Sequence, residues 1–230
     1  MCGRFTQRFS WREVHAFLSL IGPAANLRPR YNLAPSQSAA VVRGDAGGRR
    51  LSLLRWGLIP AWAKEPNIGH RLINARAETV AVKPSFRAAF AKRRCLVPAD
   101  GFYEWRREGS AREPWYIAPR DGGLLAFAGL WERWRVPEGG ALPGSLGERR
   151  PGDVVETFTI LTTEANETMR ALHHRMPAIL PPEMFQPWLS GEDVELGPTS
   201  KDLLAMHRVD RAVNNPRYDD PGCIVAVAAG

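Results

Sequence analysis

The sequence predicts an α+β fold: a single domain built on a curled, mostly antiparallel sheet or partial β-barrel and flanked by short helices. Three observations lead there. Short segments rich in β-branched and aromatic residues recur between Gly, Pro and Asp punctuation. Helical periodicity is confined to a few brief stretches that do not alternate regularly with the strands, which argues against a parallel βαβ sheet. The 230 residues, 44% apolar and 24% charged, can bury one large core without disulfides or a metal.

Taken in order, "SWREVHAFLSL" is the first helix. Ser10 and Glu13 have capping-box spacing, Phe9 and Val14 can staple its entry, and Trp11, Val14 and Leu18 share the face expected to be buried. "AAVVR" and "RRLSLLRW", joined through "GDAGG", form a hairpin with Leu51, Leu53 and Arg55 on one face. In "LINARAE", Asn74 and Arg76 follow an apolar pair at the entrance to a helix. "KPSFRAAFAKRR" is a helix with Pro84 near its first turn. The remaining strands are "RCLVPA", "GFYEW", "PWYIAP", "LLAFAGLW", "TFTILTT", "RVDRAV" and "CIVAVA". "EANETMRALHH" and "PPEMFQPWL" are short helices between them, the first ending on His173 and His174 before Pro177. The stretch 136–153, rich in Gly and Pro, is expected to be a mobile surface insertion within one 1–230 domain.

Composition excludes several classes. Cys2, Cys95 and Cys223 are odd in number and lack CxxC spacing, and the five histidines form no metal-ligand pattern. Neither a disulfide framework, a metal nor a cofactor is expected. No apolar run approaches the ~18 residues of a membrane span, and no charged lead precedes an apolar leader, so a cytoplasmic monomer without membrane contact is the expectation. Net charge is +7, and only four of the 31 basic residues are lysines. That excess points to a polyanionic partner, although an arginine-rich proteome would give the same bias.

Four places hold polar residues that can carry chemistry. In "MCGRFT", removal of Met1 would leave Cys2 with an α-amine and a thiol on adjacent carbons; the plain alternative is a small residue starting a strand. "LINARAE" offers Asn74 and Arg76, or simply a cap and a solvated arginine. In "PADGFYEW", Glu104 stands among Phe102, Tyr103 and Trp105, where desolvation would raise its pKa toward that of a general acid, unless its side chain faces water. "HHRMP" supplies His173 and His174, a pair also favoured at a helix end by the dipole alone.

Together, "MCGRFT", "RYNLAPSQ", "WGLIPAW", "INARAET", "CLVPADGFYEW" and "HHRMPAIL", with a late "VNNPRYDDPGC", resemble in order the SRAP family of abasic-site processing proteins, also called SOS-response-associated peptidases. The resemblance implies an abasic-site sensor that crosslinks through Cys2 to the aldehyde of abasic sites in single-stranded DNA as a thiazolidine, shielding the lesion during the DNA damage response. Its expected place is the cytoplasm, on the nucleoid when bound to DNA. An α-amine with pKa near ~8 is roughly a tenth unprotonated at pH 7, against well under ~0.1% for an ordinary lysine.

By the same resemblance Glu104 is the acid/base for sugar opening and water loss. His173 assists proton transfer at the sugar oxygens, and Asn74 orients the amine. Arg4, Arg76 and Arg175 contact phosphates, while Trp62 and Trp105 stack or wedge between bases. The alternatives are an N-terminal-cysteine peptidase or amidohydrolase, such as a glutamine amidotransferase with its own Met-Cys-Gly start, and a non-covalent single-strand binder in which Cys2 is incidental.

Overall fold

The computed structural model describes residues 2–109, 111–138, 146 and 149–227. In chain order its strands and helices are β1 (Arg4–Gln7), α1 (Trp11–Leu18), β2 (Arg30–Leu33), β3 (Ser38–Asp45), β4 (Gly48–Trp56), β5 (Asn74–Arg76), α2 (Arg87–Lys92), β6 (Arg94–Ala99), β7 (Gly101–Glu108) and β8 (Ala111–Pro119). They continue with β9 (Leu125–Arg135), β10 (Val154–Glu164), α3 (Glu167–Arg170), β11 (Arg175–Pro177), α4 (Phe185–Ser190) and β12 (Leu204–Arg208).

The α+β class holds, with two sheets. One is antiparallel in the order β12-β8-β7-β1-β2. In the other, β4, β3, β6, β9 and β10 pair successively and β10 returns to β4, closing a five-stranded barrel. Closure removes the free edges that an open sheet exposes. The closing β10–β4 pairing is parallel, Phe158 facing Trp56, and β5 continues along the same edge of β10 with Ile160 facing Asn74. β11 pairs with the end of β10, Thr163 facing Met176.

Barrel strands are buried on both faces, which explains their continuous apolar runs. One face, with Val41, Trp56, Val97, Phe127 and Phe158, meets Cys2, Phe5, Phe102 and Ile117 of the antiparallel sheet. The other, with Val42, Leu96, Ala128 and Leu161, is covered by Val14 and Leu18 of α1 and Phe185 and Trp188 of α4. Between the sheets the chain crosses at Gly101, where a Cβ would lie 2.2 Å from the Tyr116 hydroxyl, so only glycine fits.

Several local expectations change. Ser10 and Glu13 do close a capping box, but Trp11 is only half-buried. In β4, Leu51, Leu53 and Arg55 do share one side, with Leu53 67% exposed, while Leu54 and Trp56 are buried in the core. Asn74 and Arg76 lie on a strand, with a 3-10 turn at Ala77–Thr79 after it. Helix α2 starts beyond Pro84. "RVDRAV" straddles the end of β12 and a 3-10 turn at Arg211–Asn214, and "CIVAVA" begins inside another at Pro221–Ile224. In both, an Asp side chain caps the turn (Asp210, Asp220), and that local bond competes with strand pairing. Helix α3 stops at Arg170, so His173 and His174 occupy the connection to β11. Half of the 136–153 insertion lies outside the described residues; at its ends Val136 and Asp153 are hydrogen-bonded and Leu146 is buried.

Candidate functional site

Cys2 enters the core immediately before β1, fully buried, its thiol donating to the Arg4 carbonyl at 3.6 Å. The β1–β7 pairing, Arg4 opposite Tyr103, brings the β7 side chains beside it. The barrel contributes the next contact: Asn74 of β5 donates from Nδ2 to the Cys2 carbonyl at 2.8 Å. Its Oδ1 is buried and finds no partner among the described residues. A buried amide oxygen left so is costly unless something arrives to use it.

Glu104, on β7, is 3% exposed and forms the acidic part of a cleft of about 680 Å³ between the β7–β8 hairpin and the turn after α3. His173 and His174 line the same cleft, their rings stacked at 4.2 Å with 24° between planes. The His173 Nδ1 accepts the Arg175 backbone N–H at 2.9 Å, which assigns the ring proton of the neutral form to Nε2.

Burial dominates the electrostatics. It raises the Glu104 carboxyl above the ordinary range, opposed in part by the charge of His174. It also lifts the Cys2 thiol well above its usual value, and the Glu104 carboxylate pushes further the same way. His173 is lowered to about 4, first by burial and then by like charges, among them His174 and Arg107. A thiol held protonated, a carboxyl that keeps its proton to higher pH than an exposed one and a neutral imidazole form a set suited to proton transfer.

The expected binding residues divide. Trp105 lines the cleft, its indole N–H fixed on Asn214 Oδ1 at 2.7 Å. Arg76 is exposed on β5, two residues from Asn74 and so on the same side of the strand. Trp62 is 60% exposed, away from the cleft walls, its N–H directed at the Pro84 carbonyl. Two expected phosphate contacts are engaged internally. The Arg4 guanidinium holds Asn32 Oδ1 at 2.7 Å, the Val213 carbonyl at 2.8 Å and the Asn214 carbonyl at 3.2 Å. The Arg175 side chain, buried, forks onto Glu78 at 2.6 and 2.9 Å and also bonds the Thr162 carbonyl. These forks tie segments of the chain together.

Arg107, Arg112 and Arg170 also line the cleft, and the sequence reading passed over them. The signal was present in the period-two pattern of "EWRRE", which puts Trp105 and Arg107 on one side. Among the described residues no group of three or more His, Cys, Asp or Glu can hold a metal ion, and no helix is long and apolar enough to cross a membrane.

Comparisons with known proteins identify the family. The family model described as SOS response associated peptidase (SRAP) matches residues 1–216. The abasic site processing protein YoqW of Bacillus subtilis is 39% identical over 97% of this chain and 99% of its own length. The abasic site processing protein HMCES of Xenopus tropicalis is 31% identical over 95% of this chain and 70% of its own. A crystal structure of a protein from Bacteroides thetaiotaomicron superposes with a TM-score of 0.83 at 26% identity, covering 99% of this chain and all of that one. With the family model spanning nearly the whole sequence, the chain belongs to the SOS response associated peptidase (SRAP) family.

Proposed function

We propose that this protein captures abasic sites in single-stranded DNA covalently, through the α-amine and thiol that Cys2 presents once Met1 is removed. The observation that carries the reading is convergence on one residue. Asn74 from the barrel holds the Cys2 carbonyl, while the buried Glu104 from the other sheet lies close enough to bias its thiol. The names of the relatives, abasic site processing proteins, support the same substrate class.

The chemistry balances as a condensation. An abasic deoxyribose opens to an aldehyde, and the Cys2 amine adds to its carbonyl carbon to give a carbinolamine. Glu104 in its protonated form donates to the departing hydroxyl, water leaves, and an iminium forms beside the Glu104 carboxylate. The thiol sulfur then bonds to the iminium carbon, and its proton returns to the Glu104 carboxylate. The product is a five-membered thiazolidine, with one water lost overall. The raised thiol pKa sets the order, because a protonated thiol is a poor first nucleophile and the amine must act before it.

Asn74 Oδ1 is positioned to accept a hydrogen bond from that amine. His173, neutral at pH 7, donates from Nε2 to the sugar oxygens. Arg76 meets a phosphate, and Trp105 and Trp62 offer ring faces to bases. The stable ring shields the lesion during the damage response, and the protein acts as a monomer in the cytoplasm, at the nucleoid.

The test is intact mass after mixing with an oligonucleotide that carries one abasic site. The expected adduct equals the protein lacking Met1 plus DNA minus one water, and it survives denaturing electrophoresis. Cys2→Ala and a chain tagged ahead of Cys2 should both lose it. A tagged chain that still forms the adduct refutes the mechanism, and reversible binding alone would favour a non-covalent binder.

A further inference from the structure

We propose that the β7–β8 hairpin and the end of α3 form a phosphate track for the strand flanking the damaged nucleotide, with Arg107, Arg112 and Arg170 as its cations. The proposal rests on the DNA reading above and adds a subsite to it. The main cleft is continued by a shallower one of about 360 Å³ lined by Arg4, Trp105, Arg112 and Asn214. The two share Trp105 and Arg112, so they make one groove along the face of the hairpin.

The charge arrangement asks for an anion. Arg107 and Arg112 stand directly opposite each other in the β7–β8 pairing, an arrangement of like charges that destabilises a sheet. Neither has an ion pair among the described residues, because the nearby Glu113 binds Arg106 and Arg208 instead. Arg170 spends only its Nε, on the Ala165 carbonyl at 3.1 Å, and is otherwise exposed. Glu104 is the only carboxylate of the described cleft lining, and it is buried. Three exposed guanidinium groups without counter-charges therefore face one groove, a distribution that attracts a chain of phosphates.

Trp105 decides between single and double strands. Its ring is fixed through the bond to Asn214 and stands where the two halves of the groove meet. An unpaired base can stack on such a fixed indole, whereas the bases of a duplex are already stacked. The occupant is thus an extended single strand, passing over Trp105 with its phosphates on the arginines.

The experiment measures binding of an undamaged single-stranded oligonucleotide across a salt series, so that no covalent step enters. Losing three phosphate contacts should make the slope of log affinity against log salt shallower by about 2, at ~0.7 per contact. That is the result expected for Arg107→Ser/Arg112→Ser/Arg170→Ser, with the triple Lys variant retaining most of the slope. Arg170→Ser alone, off the hairpin, should lose about 0.7, which guards against a hairpin that fails to fold. An unchanged slope in variants melting like wild type overturns the track, and so does weaker binding at constant slope. An equal loss on the matching duplex overturns the single-strand assignment. If the wild-type protein holds no single strand, the DNA reading itself falls, and this subsite with it.

Discussion

Glu104 is the residue on which chemistry and environment most clearly meet. Its carboxyl is raised by burial, so it keeps a proton to higher pH than an exposed glutamate would. Capture should therefore follow a bell-shaped profile, rising as the Cys2 amine deprotonates and falling as Glu104 ionises. Glu104→Gln should slow capture about 10²-fold at saturating DNA and remove the falling limb, since an amide does not titrate. A single-turnover time course at several pH values checks both; a falling limb that persists would move the acid role elsewhere. His173 makes a separate, structural prediction. Its folded pKa of about 4 lies below the ~6.5 of an unfolded histidine. Between those values the unfolded chain binds the extra proton, so stability present at pH 7 is lost as pH falls through that window. His173→Gln should lose less Tm between pH 7 and 4.5 than wild type does, and an equal loss would place the acid sensitivity in other groups.

At the scale of elements, the site depends on short strands that the sequence only half declares. The buried strands β6, β9 and β10 are legible because their apolar runs are long and flanked by turn residues. β5 and β11 are three residues each and exist only because β10 offers them an edge, a non-local cause that no local pattern carries. For the same reason Asn74 was readable as a residue of interest but not as a strand residue, and His173 was readable as polar but not as sitting beyond the end of α3. The arginines are the sharpest case. "MCGR" and "HHRMP" look like two cations waiting for phosphate, yet a fork flanked by carbonyls and a carboxylate closes on those first. Arg4 joins β1 to the Arg211–Asn214 turn through Asn32, Val213 and Asn214. Arg4→Ala should thus cost about 1–3 kcal/mol, chiefly by leaving Asn32 Oδ1 without its donor, since the Val213 carbonyl keeps Asn32 Nδ2, read from the urea midpoint. It should also loosen Asn214, the anchor of Trp105. A variant as stable as wild type would release Arg4 from this structural part.

On the scale of the whole molecule, the residues proposed for capture are held by two sheets, so the site is only as well defined as the packing between them. Trp56 is the joint. Its ring meets Phe5 of β1 edge-on at 4.9 Å, and it stacks on Phe158 of β10 with centroids 6.3 Å apart. Its indole N–H donates to the Ile73 carbonyl at 2.9 Å, one residue before Asn74. This single side chain thereby sets β1, which directly follows Cys2, against β5, which carries Asn74. The α+β class and the partial barrel were legible from composition and strand spacing. The crossing of the sheets was not, because it is made by residues far apart in sequence that look like ordinary core. Trp56→Phe keeps an aromatic ring on Phe5 but loses the bond to Ile73. The Ile73 carbonyl keeps the Ile160 N–H at 3.2 Å, so the expected destabilisation is about 1–3 kcal/mol, mostly from the smaller ring in the core with the lost indole hydrogen bond added. If the joint positions the site, capture at saturating abasic DNA should also slow at temperatures well below the variant's Tm, where nearly all molecules are folded. The reaction should be slower in its chemical step, with affinity for undamaged strands little changed, because no phosphate contact is touched. Stability measured by urea and capture measured by single turnover separate the two effects. A variant that is less stable but captures at the wild-type rate would show that the sheets hold Cys2 and Asn74 in register without Trp56, and that its role ends with the core.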